Sequence, residues 1–306
     1  MQSNRTPMDW GLFALLSLLW ASAYAFTRLA VSQDAPSLGL PPELIIPARL
    51  TLGAIILLII AAFTRQKWPS FQDRKSWLAM AVMGIVGTAA PFFVITTAQK
   101  TVDSSLAALY VAASPLFVAV MAHFIFHDDQ INRRKTIGLA IGFCGVAVLF
   151  GPEAISAFGS ASTTAQALCL LGTFLYALST ITARYARNIP PFIFAAGFVS
   201  FGAIASWPLL IMVDFSSIAP SHSALIGVAG LAIGPTAMAS ILYMIVVQRT
   251  SATFLSLTGY AIPVISAIIG YLAFREVQSW NAVLAFALIL SGVWLAQRGG
   301  QAAPKS

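Results

Sequence analysis

The sequence predicts an all-α integral membrane protein in which ten transmembrane helices form two inverted five-helix repeats. Three observations lead to this fold class. The chain has ten apolar blocks of membrane length, the second five blocks repeat the layout of the first five, and the composition is too apolar for a soluble protein. Of the 306 residues, 58% are hydrophobic and 9% are charged, more apolar surface than a soluble fold of this size can bury. An odd number of crossings per repeat inserts the second copy upside down, which is the layout of alternating-access carriers.

Each predicted span is an apolar run bounded by polar or helix-breaking positions. About 20 residues are needed to cross roughly 30 Å of hydrocarbon, and most of the runs reach this length. The fifth and tenth runs are shorter, but both occupy the last place in their repeat, so we expect two helices that pack against each other. The ten spans are residues 10–31, 44–63, 77–98, 105–126, 136–150, 165–185, 191–213, 224–247, 254–274 and 280–296.

The two repeats are expected to form one compact membrane domain, with residues 1–152 in the first repeat and residues 163–298 in the second. The longest polar interruptions are too short for a separate soluble domain. An aromatic residue precedes an arginine by eight positions in the first and sixth spans, and the fourth and ninth spans share a small-residue run, a proline and a following acidic residue. The matched pairs are Trp20 with Tyr176, Arg28 with Arg184, Pro115 with Pro263 and Asp128 with Glu276.

The positive charges are distributed unevenly once the loops are assigned alternately to the two sides of the membrane. With the N-terminus in the cytoplasm, the opposite side receives Arg28, Arg49, Lys100 and Arg275, and the cytoplasmic side receives the other thirteen of the 17 Lys and Arg residues. This is the positive-inside bias, in loops short enough for the rule to apply. The net charge of +7 therefore indicates a multi-pass protein with both termini cytoplasmic, and no nucleic-acid partner.

Several segments of the chain resemble the paired EamA domains of the drug/metabolite transporter superfamily. They are residues 99–117 and 247–264, the acidic residue after the fourth and ninth spans, and the closing glycine-rich helices. Within that superfamily the sequence is similar to bacterial exporters of aromatic amino acids. The resemblance implies export of Phe, Tyr and Trp through the bacterial inner (plasma) membrane; smaller neutral amino acids, other metabolites or drugs fit the same scaffold. Equivalent roles for Asp128 and Glu276 stay open, because His127 precedes the first of them where family members more often have Gly-Glu.

The resemblance also implies a cavity lined by the first, third, fourth, sixth, eighth and ninth spans. Their large aromatic residues with a polar tip can stack on a half-apolar solute while the hydroxyl or indole N–H stays hydrogen-bonded; anchoring at the membrane interface is the alternative. Arg49 is the charge deepest inside a span, while Arg28 and Lys100 lie near span ends. One of these cations can pair with a substrate carboxylate; the alternative is that they extend to the headgroups or pair with Glu43 and Asp103. The substrate-cavity candidates are Trp20, Tyr24, Arg49, Tyr110, Tyr176, Tyr243 and Tyr260.

Four prolines lie inside predicted spans and are candidates for helix bending: Pro91, Pro115, Pro235 and Pro263. A proline removes a backbone donor and opens the helix one turn earlier. In a transporter, such weak points allow helices to bend around a cavity at the bilayer centre. Static kinks held by packing are the alternative.

The sequence lacks the motifs H-E-x-x-H, G-x-S-x-G and G-x4-G-K-[ST], so we expect no enzyme activity, no ATP-driven step, no cofactor and no metal. The expected partners are the lipid bilayer and a small-molecule substrate, without an obligatory protein partner. An ion channel would need a polar ring or filter segment, and two inverted repeats fit a carrier better.

The source of energy is predicted from where the acidic residues fall. All ten Asp and Glu residues lie in loops or at span ends, whereas proton-coupled carriers usually place a carboxylate or histidine at depth. His123 is the one histidine inside a predicted span, and it lies near the cytoplasmic end. The prediction is downhill facilitated export by alternating access without obligatory proton coupling, and proton-coupled export is the alternative.

Overall fold

The computed structural model describes residues 6–32, 35–125, 132–150, 161–182, 189–249 and 258–299. This described part is helical, contains no β-strand, and has ten membrane helices, here α1 to α10, at the positions of the ten predicted spans. They are α1 Pro7–Val31, α2 Pro42–Phe63, α3 Arg74–Ala98, α4 Ser104–Val111 with Ser114–Ile125, α5 Arg133–Phe150, α6 Ala161–Thr182, α7 Pro191–Met212, α8 His222–Leu231 with Ala232–Met238 and Ala239–Arg249, α9 Thr258–Phe274, and α10 Trp280–Gly299.

Five of these helices, α1, α2, α3, α7 and α8, are long and apolar enough to cross a membrane by length and composition. The predicted ends of the fourth and sixth spans and the first residues of the ninth lie outside the described residues, and so do Asp128 and Arg184. The observed bounds otherwise follow the predicted spans closely, because the same polar and proline positions that interrupt the apolar runs also interrupt the helices.

Helix starts follow ordinary capping rules. Thr6 caps α1 in a capping box with Asp9, Asp73 caps α3 by accepting from the Ser76 N–H at 3.2 Å, and Ser221 caps α8. Each cap satisfies an N–H group that the first helical turn leaves without a partner. The repeat partners α2 and α7 both begin at a proline that follows another proline, where the missing N–H has no cost.

The helices pack in two main apolar clusters. One is built mainly from α2, α3, α7 and α8 around residues such as Leu50, Met80 and Phe194. The other is built from α4, α6, α10 and the Tyr24 region of α1, around Leu116 and Cys169. The helices α5 and α10 pack along each other, as their short lengths and matched places led us to expect. Large apolar side chains on the outer faces are exposed, as a lipid-facing surface requires.

The repeat partners α3 and α8 each contain a π-helical segment near the middle of the helix. In α3 it spans Ile85–Ala89 and ends just before Pro91; in α8 it spans Ala232–Met238 and contains Pro235. A π turn is one way in which a helix accommodates a backbone carbonyl freed by proline. Two of the predicted bending positions therefore coincide with irregular backbone, and their movement during transport stays a prediction.

The other proline pair behaves differently in the two repeats. In α4 the helix is interrupted at Ala112 and Ala113, and Pro115 is the second residue of the piece that follows. In α9 the helix runs continuously through Pro263 over Thr258–Phe274. The same repeat element is thus broken in the first half of the protein and continuous in the second.

Candidate substrate site and charge clusters

Arg49 lies in the apolar middle of the bundle, about 10 Å along α2 from its first residue. It is 3% exposed. Its Nε and Nη2 groups donate to the Oγ1 of Thr236 at 3.2 and 2.9 Å, and its Cζ lies 3.9 Å from the centroid of the Phe92 ring. The guanidinium is therefore held by a hydroxyl from α8 on one side and by an aromatic face from α3 on the other.

Two local features bring Thr236 to Arg49. Thr236 belongs to the π-helical segment of α8, where the altered helical register redirects side chains. Gly53 lies one turn after Arg49 on α2, and a Cβ at that position would stand 2.7 Å from the Thr236 Cγ2. The absence of a side chain at residue 53 therefore allows α2 and α8 to approach closely enough for the hydrogen bonds.

Arg49 lacks an acidic partner in the part of the chain that the structure describes. Within these ranges its Nη1 makes no hydrogen bond, although the group carries two N–H donors. Removing a cation from water is costly unless it is paired, and one neutral hydroxyl and one ring compensate only part of that cost. The arrangement is suited to receive an anion on the free edge of the guanidinium.

Aromatic side chains from several helices surround this position. The ring of Phe92 contacts that of Tyr176 edge-on at 6.4 Å between centroids, so Phe92 lies between Arg49 and Tyr176 as a shared neighbour. Tyr24 belongs to the apolar cluster against which Tyr176 packs. Trp20 lies one turn before Tyr24 on α1 and contacts the ring of Tyr243 on α8 at 5.6 Å. Five of the seven predicted cavity residues, Trp20, Tyr24, Arg49, Tyr176 and Tyr243, thus lie in one region between the repeats.

The remaining two candidates are placed differently. Tyr110 is fully buried between α4 and α6, and its hydroxyl donates to the Oε1 of Gln166. Its polar tip is therefore occupied within the protein. The backbone of Tyr260 lies in α9, and its side chain lies outside the described residues. Their role in a cavity stays a prediction.

Sequence reasoning missed two residues that define the site, Phe92 and Thr236. Each directly follows a proline that the sequence did single out, Pro91 in α3 and Pro235 in α8. A polar or aromatic residue next to an intramembrane proline was therefore the available signal. The signal was weak because sequence spacing does not show which helix faces Arg49.

A second charged group lies at one end of the bundle, here called the Arg28 end. The Nη1 of Arg28 donates to the Oε1 of Glu276 at 2.6 Å and to the Oδ1 of Asp103 at 3.2 Å. The same Oε1 accepts from the backbone N–H of Ser104 at 3.1 Å and from its hydroxyl at 2.7 Å. We call these four residues the outer cluster. It joins α1, the start of α4 and the end of α9.

The backbone after α9 aims Glu276 inward. Arg275 adopts a positive φ of 57°, the left-handed conformation that commonly ends a helix, so the chain reverses and the Glu276 side chain turns back toward the bundle. Gly270 makes room for it, because a Cβ at residue 270 would stand 2.4 Å from the Glu276 Oε2. The acidic residue therefore follows the span, as expected, and is nevertheless buried.

The opposite end of α1 is also tied to another helix. Asp9 accepts from the Nε of Arg249 at 3.0 Å, which connects the first turn of α1 with the last turn of α8. The Arg249 side chain is 39% exposed, so solvent screens this pair more strongly than the pairs of the outer cluster. We call this side of the bundle the Arg249 end.

Comparison with known proteins agrees with the two-repeat membrane fold over nearly the whole chain. The family model of the EamA-like transporter family matches residues 9–151 and again residues 163–297. A crystal structure that is 22% identical in sequence aligns with a TM-score of 0.65 over 97% of this chain and 99% of that chain, which supports the fold.

Several curated relatives align over nearly their full length. The aromatic amino acid exporter YddG of Ancylobacter novellus is 27% identical, with 91% of this chain and 93% of that protein aligned. The uncharacterized transporter YdfC of Bacillus subtilis is 25% identical over 92% and 88%. The uncharacterized inner membrane transporter YedA of Escherichia coli K12 is 24% identical over 93% and 90%. The chain therefore belongs to the EamA-like transporter family and is a membrane transporter of small molecules.

Proposed function

We propose that this protein exports amino acids, chiefly the aromatic ones and also other neutral ones, across the bacterial inner membrane by alternating access. The observation that carries the proposal is Arg49, a buried guanidinium that the described residues leave without a carboxylate partner and surround with aromatic rings. An aromatic amino acid supplies what this site lacks, a carboxylate and a ring on one small molecule. The relative YddG is an aromatic amino acid exporter, which agrees with this chemistry.

In the bound state, the substrate carboxylate accepts from the free edge of Arg49, including Nη1. Thr236 holds the other edge of the guanidinium in place, so little side-chain entropy is lost on binding. The substrate ring stacks among Tyr24, Tyr176 and Trp20, where ring faces and polar tips are both available.

The orientation of the protein in the proposal rests on the charge distribution. The positive-inside bias places both termini and the Arg249 end in the cytoplasm and the Arg28 end outside. The relative YedA is an inner membrane transporter, which supports the same location. Substrate enters from the Arg249 end, occupies the Arg49 site between the repeats, and leaves from the Arg28 end.

Transport is proposed to run down the substrate gradient without coupling to protons. Among the described residues no carboxylate contacts Arg49, and Glu276 is bonded to Arg28 and Ser104 near the Arg28 end. A carboxylate that exchanges protons with the substrate site would have to lie closer to it. No enzymatic step, cofactor or obligatory protein partner belongs to this proposal.

The test is exchange of radiolabelled phenylalanine in proteoliposomes that contain the purified protein. We expect saturable exchange that Tyr and Trp compete, and no stimulation by an imposed pH gradient. In the Arg49→Gln variant, the apparent affinity for phenylalanine should fall by roughly 30-fold or more, because a charge-assisted bidentate contact is lost.

The matched control is a ligand and not a second mutation. Phenylethylamine keeps the ring and the amine of phenylalanine but has no carboxylate, so Arg49→Gln should leave its weak competition unchanged or improve it. A variant that loses both ligands equally would show that Arg49 serves packing. Absence of phenylalanine exchange by folded wild-type protein would contradict the aromatic substrate.

Other small carboxylate metabolites form the second candidate class. It is favoured by the site itself, since Arg49 and Thr236 select for an anion while the rings only favour an apolar body. Competition by aliphatic carboxylates that exceeds competition by Tyr and Trp would move the substrate assignment to this class.

A further inference from the structure

The outer cluster connects three helices through one carboxylate oxygen. The Oε1 of Glu276 accepts from Arg28 on α1 and from both the backbone N–H and the hydroxyl of Ser104 on α4, while Glu276 itself follows α9. Each of these bonds crosses between helices, and each is charge-assisted. Movement of any one of the three helices away from the others at this end must break at least one of them.

Along α1, the cluster lies between the aromatic residues of the substrate site and the Arg28 end. Arg28 is four residues from Tyr24 on α1, which is one helical turn or about 6 Å along the axis. Just beneath the cluster, the Gln99 Nε2 donates to the backbone carbonyl of Tyr24 at 2.9 Å, which also joins α3 to α1. The cluster is thus placed where it can close this end of the bundle to a solute.

Burial makes the cluster a two-state element. The Glu276 side chain is 1% exposed and the Arg28 side chain 11%, whereas the Asp103 side chain is 50% exposed. Buried charges of opposite sign separate at high cost unless water reaches both of them, and water reaches them only when the helix ends part. The closed arrangement is held by the pair, and the open one is held by hydration of both charges.

The backbone of α4 and α9 shows independently that the repeats hold different conformations. The helix α4 is interrupted before Pro115, and its repeat partner α9 is continuous through Pro263. Inverted repeats that take different conformations, and exchange them, produce alternating access. Both helices meet at the outer cluster, so an exchange of their conformations changes the two elements that the bonds between Ser104 and Glu276 join.

We propose that Arg28, Asp103, Ser104 and Glu276 form the gate that closes the substrate site from the Arg28 end, and that Glu276 leaves α1 and α4 once in every transport cycle. Glu276 and Arg28 hold the gate; Asp103, at the solvent side, adds little. The proposal rests on the alternating-access export proposed above, and its first test needs no substrate.

The first test measures how fast a thiol below the gate is modified from outside. Cys169 is fully buried and belongs to the same apolar cluster as Tyr24 and Tyr110. In a Cys144→Ala background, a charged membrane-impermeant thiol reagent should modify Cys169 at least about tenfold faster when Glu276→Gln is present, the shift expected for loss of one charge-assisted contact. Asp103→Asn is the matched control, with an expected change within about twofold.

Equal modification rates for the wild type and Glu276→Gln would overturn the gate, and so would equal acceleration by Asp103→Asn. Thermal unfolding of each variant in detergent distinguishes gate opening from general loosening of the protein. General loosening speeds modification of Cys169 in proportion to a fall in melting temperature, whereas gate opening speeds it without a fall of matching size. These readouts are independent of the cargo, so a wrong substrate assignment leaves them intact.

The second test closes the gate instead of weakening it. The Oγ of Ser104 lies 3.5 Å from the position of a Cβ on residue 270, so cysteines at these two positions are neighbours and can be tested for cross-linking. The variant carries Ser104→Cys and Gly270→Cys in a background of Cys144→Ala, Cys169→Ala and Glu276→Ala, the last to make room for the cross-link. We expect its exchange rate to fall by about tenfold or more on oxidation and to recover with reductant. Each single-cysteine variant is the control. The proposal would be overturned if fully cross-linked protein exchanged substrate as fast as the same protein treated with reductant.

Discussion

Arg28 and Arg49 receive different kinds of partners inside this bundle. Arg28 donates to the carboxylates of Glu276 and Asp103, so its charge is neutralised by the protein. Arg49 donates to the hydroxyl of Thr236 and faces the ring of Phe92, so among the described residues its charge is stabilised by dipoles and by a π face and not by a carboxylate. Both arginines are largely or fully buried, and burial alone does not distinguish their roles.

In the export mechanism proposed above, this difference separates a charge that stabilises the structure from a charge that serves a ligand. A buried ion pair resists separation because removing one partner leaves the other uncompensated. A buried cation without an anion lowers stability, and a protein keeps one where a mobile anion completes it. We therefore expect substitutions of Arg28 to act mainly on stability and gating, and substitutions of Arg49 mainly on substrate binding.

The largest expected effect is the loss of protein stability when the outer cluster loses Arg28. Replacing Arg28 by Met keeps the apolar length of the side chain but leaves Glu276 buried without its cation, which should cost about 3–5 kcal/mol of unfolding free energy. Denaturant or thermal unfolding in the same detergent measures the loss.

Arg49→Met is the matched control for that experiment. It removes a charge that lacks an acidic partner in the described part of the chain, so stability should stay within about 1 kcal/mol of the wild type or rise. Equal destabilisation by Arg49→Met and Arg28→Met would contradict the different roles assigned to the two arginines.

The next effect concerns the shape of the Arg49 cation. Arg49→Lys keeps the positive charge but cannot hold Thr236 and a carboxylate at once, because an ammonium lacks the planar fork of the guanidinium. We expect phenylalanine affinity to fall by roughly tenfold, less than for Arg49→Gln, with stability almost unchanged. Competition binding on the purified variant checks this, and full retention of affinity would show that charge alone matters.

Removing the hydroxyl that holds Arg49 should have a smaller effect. Thr236→Val keeps the shape of the side chain and deletes the acceptor of two hydrogen bonds, which should weaken substrate binding by about 1 kcal/mol. Thr236→Ser restores an acceptor and is expected to bind like the wild type. Equal affinity in Thr236→Val would show that Arg49 is positioned by Phe92 and packing.

The smallest effect is expected at the exposed member of the outer cluster. Asp103→Asn removes a carboxylate whose side chain is half exposed, so solvent and salt already screen its interaction with Arg28. The change in unfolding free energy should stay below about 1 kcal/mol and vanish at high salt. A loss as large as that of Arg28→Met would show that Asp103, and not Glu276, neutralises Arg28.

The sequence predicted the ten helices and their pairing well, because each depends on local composition. A membrane helix needs an apolar run of sufficient length, and its ends lie where prolines and polar caps interrupt that run, as at Pro42 and Asp73. The same local reasoning found Arg49 and the aromatic residues of α1, α6 and α8. It also offered Asp103 as one partner of Arg28, but Glu276 was expected only to follow the ninth span.

What determined the partners of the charges was the tertiary structure. Arg49 meets Thr236 across 187 residues of sequence and Arg28 meets Glu276 across 248, and no local pattern specifies such separations. The aromatic Tyr110 has the residue type of a cavity side chain, yet packing turns its hydroxyl to Gln166. Local polarity and helix length therefore decided which segments span the membrane. The packing of helices from both repeats decided which buried arginine is paired with carboxylates and which has a hydroxyl and a ring as its neighbours.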